Sequence, residues 1–156
     1  MGFCIDLDIY YHYYGLEVWG NTYSSHLNRI LMSQKMIVRT VLFKSPTDHS
    51  SPLFAQLNIL DVFKLHRYLI GSFIYGLIHQ LSPHTLYDYF ESSHHNYNTR
   101  LCSYQNIYPY YARTNSGQFS FSFSGAKIWN SIPVNIRCIN TLNEFKRSYK
   151  QFLLEE

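Results

Sequence analysis

The chain has 156 residues, of which 46% are hydrophobic, 18% are aromatic and only 15% are charged. This composition excludes a disordered chain and is typical of one domain, or a closely packed pair of small ones, with a real core. A net charge of +3 is lower than a dedicated nucleic-acid-binding module usually carries. The three cysteines include no Cys-x-x-Cys pair, so the sequence supports neither a zinc knuckle nor a disulfide framework, and this fits a reducing intracellular compartment.

Residues 1–13 give no single pattern. Ile5, Leu7 and Ile9 alternate with polar residues as in a strand, whereas the tyrosines that follow continue a helical face, and we favour a helix. The segment lacks the basic and apolar regions of a signal peptide. No apolar run approaches the ~20 residues that span a bilayer, so we expect no membrane partner.

The segment from about Thr22 to Phe43 predicts an amphipathic helix. Ser24 and Ser25 are candidate N-caps. Apolar residues recur on one face at steps of three and four. Three basic residues fall mostly on the opposite side and are candidate phosphate contacts: Arg29, Lys35 and Arg39.

Three further helices are expected before residue 91. Ser51 followed by Pro52 predicts the start of a short helix through Leu57. The segment 61–81 is apolar nearly all round, which predicts a central core helix. Ser82 and Pro83 repeat the starting pattern and predict a short helix to about residue 90.

The C-terminal third mixes patterns. Residues 91–117 have no helical period and predict an extended or looped segment. Phe119, Phe121 and Phe123 alternate with serines, which predicts a half-buried strand ended by a glycine, followed by one or two helical turns over 126–131. Thr141 with Glu144 forms a capping-box pattern that predicts a last helix. The fold class expected is mainly α, a helical bundle with a small β component in the C-terminal half.

The sequence contains no recognisable catalytic or metal-ligating constellation. Asp6 and Asp8 are the only close pair of aspartates, and a lone Asp-x-Asp is a weak metal signal. The histidines do not fall at metal-ligand spacings, and neither a nucleophile motif nor a phosphate loop occurs. We therefore expect no metal site, no cofactor and no catalytic residue in this chain.

A polar stretch offers further candidates for nucleic-acid contact. Tyr97 provides a stacking face, and Arg100 and Arg113 provide planar donors for phosphate. The alternative is that these residues pin a long loop to the helical body by hydrogen bonds. Trp19 and Trp129 are expected to anchor the core, with base stacking as their alternative role.

Two short blocks around the tryptophans carry a resemblance. They are Tyr14 to Asn21 and Gly125 to Pro133, and the segments between and after them keep the same order and spacing: 27–39 with Gln34-Lys35, 51–60, 95–100, and Phe145-Lys146. Together these segments resemble the C-terminal region of the reverse transcriptase of non-LTR, jockey-like retrotransposons.

The resemblance implies a thumb-like helical region over 14–90 and a following region over 91–156, with 1–13 matching poorly. It implies contact with an RNA template or an RNA/DNA duplex, in partnership with upstream polymerase domains of the parent protein. Those domains hold the catalytic aspartates of this RNA-directed DNA polymerase family, so the chain alone is expected to be inactive. The alternative is a non-catalytic structural or protein-interaction domain derived from a degenerate element.

Overall fold

The computed structural model describes residues 15–81, 106–107 and 111–156. Within these ranges the chain forms eight helices and no strand, which confirms the prediction of a mainly helical protein. The helices are α1 (Leu16–Trp19), α2 (Ser24–Val41), α3 (Ser51–Gln56), α4 (Val62–Ile78), α5 (Asn115–Gln118), α6 (Phe121–Ser131), α7 (Val134–Arg137) and α8 (Leu142–Glu155).

Several predictions fall on other parts of the chain. The assignments for residues 1–13, for the short helix at 82–90 and for 91–105 of the extended segment lie outside the described residues. The chain divides into two compact units, Met1–His66 and Arg67–Glu156, which we call unit 1 and unit 2. The boundary between them lies inside α4.

Unit 1 is built around the inward face of α2. Val38 packs in a buried cluster with Leu53 and Phe54 of α3. Gln34 is also buried, and its Oε1 accepts a hydrogen bond of 2.9 Å from the backbone N–H of Val62, the first residue of α4. The first N–H groups of a helix have no partner within the helix, so this amide from α2 satisfies one of them. Asp61 satisfies another, because its Oδ1 accepts from Lys64 N at 2.8 Å.

Helix α2 begins earlier than its predicted N-cap residues, Ser24 and Ser25, indicate. Tyr23, with extended backbone, occupies the N-cap position, and Ser24 and Ser25 are the first helical residues. The prediction that Ser24 or Ser25 caps the helix was therefore wrong. The chain turns into the helix at Tyr23 because residues 20–22 already form a tight turn, in which Thr22 N donates to Gly20 O at 2.9 Å.

Unit 2 depends on a close approach between α4 and α8 at Gly71. A Cβ at this position would lie 2.6 Å from Tyr149 Cε1 and 3.1 Å from Ile132 Cδ1. The hydroxyl of Tyr149 donates to the carbonyl oxygen of Arg67 at 3.2 Å, one turn before Gly71. Burial raises the pKa of Tyr149 to about 12, against the lowering effect of Arg67, so the hydroxyl keeps its proton. An ion pair of 2.7 Å between Arg67 of α4 and Glu156, directly after α8, also joins these two segments.

An aromatic series fills the core of unit 2. Phe145 of α8 stacks on Tyr75 of α4, with 4.3 Å between ring centroids, and its centroid lies 6.1 Å from that of the fully buried Trp129. The Tyr75 hydroxyl donates to Ile139 O at 2.7 Å and so holds the link between α7 and α8. Offset aromatic pairs of this kind add about 0.5–1.5 kcal/mol each beyond the area that they bury.

The strand predicted at Phe119 to Phe123 was wrong, and with it the small β component assigned to this segment. The chain is helical from Phe121 to Ser131, and Gly125 lies buried inside the helix instead of ending it. Gly125, Ala126 and Trp129 form a helical face that continues to Ile132, and burying this face outweighs the local alternation of phenylalanine and serine. Lys127 Nζ lies 4.4 Å from the centroid of the Phe123 ring, a contact between residues four apart that a strand would not give.

The capping box at Thr141 was predicted correctly. Thr141 is the N-cap of α8, and its hydroxyl oxygen accepts from Glu144 N at 3.4 Å while the hydroxyl donates to Glu144 Oε2 at 2.8 Å. Across the described part of the chain, no helix combines the length and the apolar character that crossing a bilayer requires.

Replacing Gly71 with Ala should destabilise the protein by about 1–2 kcal/mol, measured by chemical denaturation. Overpacking a closed core costs ~1–3 kcal/mol, and the gain in helix propensity returns only ~1 kcal/mol. Tyr149 and Ile132 are both buried and cannot move aside. Asn143→Ala, at an exposed position of α8, is the control and should cost less than ~0.5 kcal/mol. Equal stability of Gly71→Ala and the control would show that the α4–α8 approach is not tight.

Candidate nucleic-acid interface

The outward face of α2 carries positive charge without acidic residues. The 18 residues from Ser24 to Val41 include no Asp or Glu. Because Leu27, Gln34 and Val38 face the core, the opposite side of the helix faces the solvent. Three of the sequence-predicted phosphate contacts lie on this helix, and we call its solvent-facing side the α2 face.

The three basic residues of α2 are not equivalent. Arg29 is exposed on the side opposite to the core. Lys35 and Arg39 are half-buried and lie one turn apart along one edge of the α2 face. Arg39 also has a structural role, because its Nε donates to the carbonyl oxygen of Asp48 at 3.0 Å and holds the loop that follows the helix. Its remaining guanidinium nitrogens are further donors, whereas Arg29 and Lys35 are the cleaner tests of phosphate contact.

Two methionines on the α2 face were missed by the sequence reasoning. Met32 and Met36 are 69% and 68% exposed, and with Arg29 they form one stripe at steps of three and four residues. The signal was present in the sequence, since both fall outside the inward stripe of Leu27, Gln34 and Val38. The face therefore combines flexible apolar side chains with cations.

The remaining sequence-predicted site residues lie elsewhere. Arg113 belongs to unit 2 and is exposed beside α5. The neighbouring Thr114 caps α5, and its hydroxyl oxygen accepts from Gly117 N at 3.2 Å, so Thr114 has a structural role. Tyr97 and Arg100 lie outside the described residues.

The block around Trp129 is structural. Trp129 is fully buried, as predicted. The side chain of Asn130 binds the backbone of Ile107 twice, accepting from Ile107 N at 3.0 Å and donating to Ile107 O at 2.6 Å. A buried guanidinium extends this attachment, since Arg137 Nη1 donates to Asn106 Oδ1 at 2.7 Å. Residues 106–107 are thus pinned to α6 and α7 by Asn130 and Arg137.

The block around Trp19 differs from the prediction. Trp19 is 39% exposed, so the expectation of a core anchor was wrong for this residue. His66 is buried against Gly20, the residue that follows Trp19. A Cβ on Gly20 would overlap the His66 ring and the carbonyl oxygen of Leu16. A larger residue at Gly20 would therefore force its neighbours to shift, and the adjacent indole of Trp19 lies partly at the surface.

His66 is a buried imidazole whose environment shifts its pKa. Burial lowers the pKa from the ordinary value of 6.5. Its Nε2 atom is excluded from solvent and meets no hydrogen-bond partner within the described ranges. Within the same ranges no three His, Cys, Asp or Glu side chains come together in an arrangement that could hold a metal ion.

No protein-family model, curated protein or solved structure matches this chain.

Acidification should destabilise the protein through His66. With a lowered pKa, the folded state keeps the imidazole neutral while the unfolded state takes up a proton below pH 6.5. The contribution of neutral His66 is therefore complete above pH 6.5 and is lost as the pH falls below that value. An NMR titration of the His66 ring protons should give a pKa below 6.5. A value at or above 6.5, or a fully reversible titration without loss of stability, would contradict the burial of this ring.

Proposed function

We propose that this chain is a C-terminal fragment of a non-LTR retrotransposon RNA-directed DNA polymerase, and that it contributes contact with the template or the template–primer. The observation that carries the proposal is the α2 face, with Arg29, Lys35 and Arg39 on an 18-residue helix without a single acidic residue. Phosphate contact is the main source of affinity in binding that does not depend on nucleic-acid sequence. Binding of this kind is expected for a polymerase region that contacts templates of any sequence.

The roles of the shared motifs support the proposal without adding catalysis. Gln34 caps α4, Trp129 fills the core of unit 2, and Asn130 holds residues 106–107. Each of these residues has a structural role, which is compatible with the proposal. In this proposal the joining of nucleotides belongs to the upstream polymerase domains of the parent protein, and the location is intracellular.

A double replacement, Arg29→Ala with Lys35→Ala, should weaken binding of the chain to both single-stranded and duplex oligonucleotides. The affinity falls as the salt concentration rises, and removing two phosphate contacts should make the plot of log K against log salt less steep by about 2. The measurement is fluorescence anisotropy of a labelled oligonucleotide from about 50 to 200 mM salt. Arg39 is left unchanged because it also holds the Asp48 loop.

The matched control removes the same charge from another helix. Arg147→Ala with Lys150→Ala takes two cations from α8, in unit 2, and should leave the affinity within about twofold, or ~0.4 kcal/mol, because neither residue belongs to the α2 face. An equal loss in both double variants would mean that only net charge matters. Unchanged affinity in the α2 variant would remove the α2 face from the account.

The second candidate function is a protein-interaction domain. Met32 and Met36 favour it, because exposed, flexible thioethers are common on surfaces that bind protein partners. The two functions separate at low salt. A chain that binds no oligonucleotide at about 50 mM salt would be assigned to the interaction class.

A further inference from the structure

Two exposed aromatic rings lie close together in sequence where α1 passes into α2. Trp19 ends α1 and is 39% exposed, and Tyr23 occupies the N-cap of α2 and is 55% exposed. Only residues 20–22 separate them, and this link is a tight turn. Gly20 N donates to Leu16 O at 2.8 Å, and Thr22 N donates to Gly20 O at 2.9 Å. Both rings therefore project from one short, hydrogen-bonded segment of unit 1.

The indole of Trp19 packs against the backbone of Gly15. Gly15 adopts the left-handed backbone conformation, with φ of 70°, and its carbonyl oxygen accepts from the N–H groups of Val18 and Trp19 at 2.8 and 3.0 Å. A Cβ on Gly15 would lie 3.4 Å from Trp19 Cδ1 and Nε1, so the ring edge rests against this backbone. A side chain that is already fixed loses little entropy when a ligand covers it.

Charges of both signs lie near the two rings, since Glu17 is exposed on α1 whereas the cations of α2 suit an anionic ligand. Tyr23 leads directly into α2, where the first Lys or Arg is Arg29 and the last is Arg39. At 1.5 Å rise per residue, Arg29 lies about 9 Å along the helix axis from Tyr23, roughly the span of one or two nucleotides. The His26 ring lies 6.5 Å from that of Tyr23, which adds a third planar group at this end of the helix.

We propose that Trp19 and Tyr23 form a stacking site for unpaired bases, so that the chain binds single-stranded nucleic acid with its backbone along the α2 face. This inference rests on the proposed function and specifies its ligand. Aromatic faces stack on any base, but only on bases that are not already stacked and paired within a duplex. Cations alone are sufficient to bind the phosphates of a duplex, whereas two exposed rings at the end of a cationic helix can also stack on unpaired bases. The pairing of rings with cations is the usual composition of single-strand sites.

Tryptophan fluorescence tests the proposal directly on the full chain. Trp129 is fully buried, so a change caused by a ligand at the surface reports Trp19. Titration with a short oligo(U) should quench the emission to saturation, because a stacked base quenches the indole. A blunt-ended duplex of the same length should bind through the α2 cations and leave the emission almost unchanged.

Variants at the two rings separate stacking from charge. Trp19→Leu should abolish the quenching and weaken oligo(U) binding about 5- to 150-fold, the range given by the loss of one stacked base, with duplex binding unchanged. Trp19→Phe keeps an aromatic face and should restore most of the affinity. Tyr23→Leu should also weaken oligo(U) binding, at a position whose side chain makes no capping bond. Tyr111→Leu is the matched control, since Tyr111 is 82% exposed but belongs to unit 2.

The outcomes distinguish the two proposals. If Trp19→Leu binds oligo(U) like the unchanged chain, or loses oligo(U) and duplex equally, the stacking site is overturned while the salt effect of Arg29 and Lys35 is still intact. If neither oligonucleotide binds the unchanged chain, both proposals fail together. Quenching by an unrelated acidic peptide to the same extent as by oligo(U) would likewise overturn the nucleic-acid ligand and favour a protein partner.

Discussion

The hydrogen bond between Gln34 and the N–H of Val62 decides which side of α2 faces the solvent. It is buried, and it joins the middle of α2 to the first residue of α4. Turning α2 about its axis would break this bond and leave a polar group unsatisfied in the core, at a cost of about 1–3 kcal/mol, besides exposing Leu27 and Val38. The cations on the other side of the helix are therefore presented outward as a consequence of packing, and Arg39 is further fixed by Asp48.

Packing also fixes the positions of the helices in unit 2, where aromatic residues make the main contacts. Gly71 lets α8 approach α4 closely, Tyr149 fills the space and bonds to Arg67, and Tyr75 holds the link before α8 through Ile139. The motifs around Trp129 serve this packing. The block around Trp129 contributes to the buried aromatic core of unit 2, whereas the α2 face and the exposed Trp19 and Tyr23 belong to unit 1.

Periodicity predicted the long helices because their apolar stripes are regular, and the Thr141 capping box located the start of α8. Periodicity gave the wrong prediction at Phe119 to Phe123, where phenylalanine and serine alternate as in a strand. The competing helical face includes Gly125 and Ala126, which are small and only weakly apolar, so the sequence pattern did not reveal it. The exposure of Trp19 could not be predicted either, because a tryptophan beside glycines has the same sequence pattern whether its ring is buried or exposed. The cations of α2 were predictable from spacing alone. That Arg39 holds a loop, and that Met32 and Met36 share the face, required coordinates.

The most direct test of the account is to map the nucleic-acid contact on the uniformly ¹⁵N-labelled chain by NMR. A short single-stranded RNA added to saturation should shift the amide signals of Arg29, Met32 and Met36, together with those of residues 19–23, and leave the inward Leu27 and Val38 less affected. Unit 2 should change little around Trp129. Shifts confined to unit 2, or no shifts at a saturating RNA concentration, would contradict the claim that the α2 face holds nucleic acid.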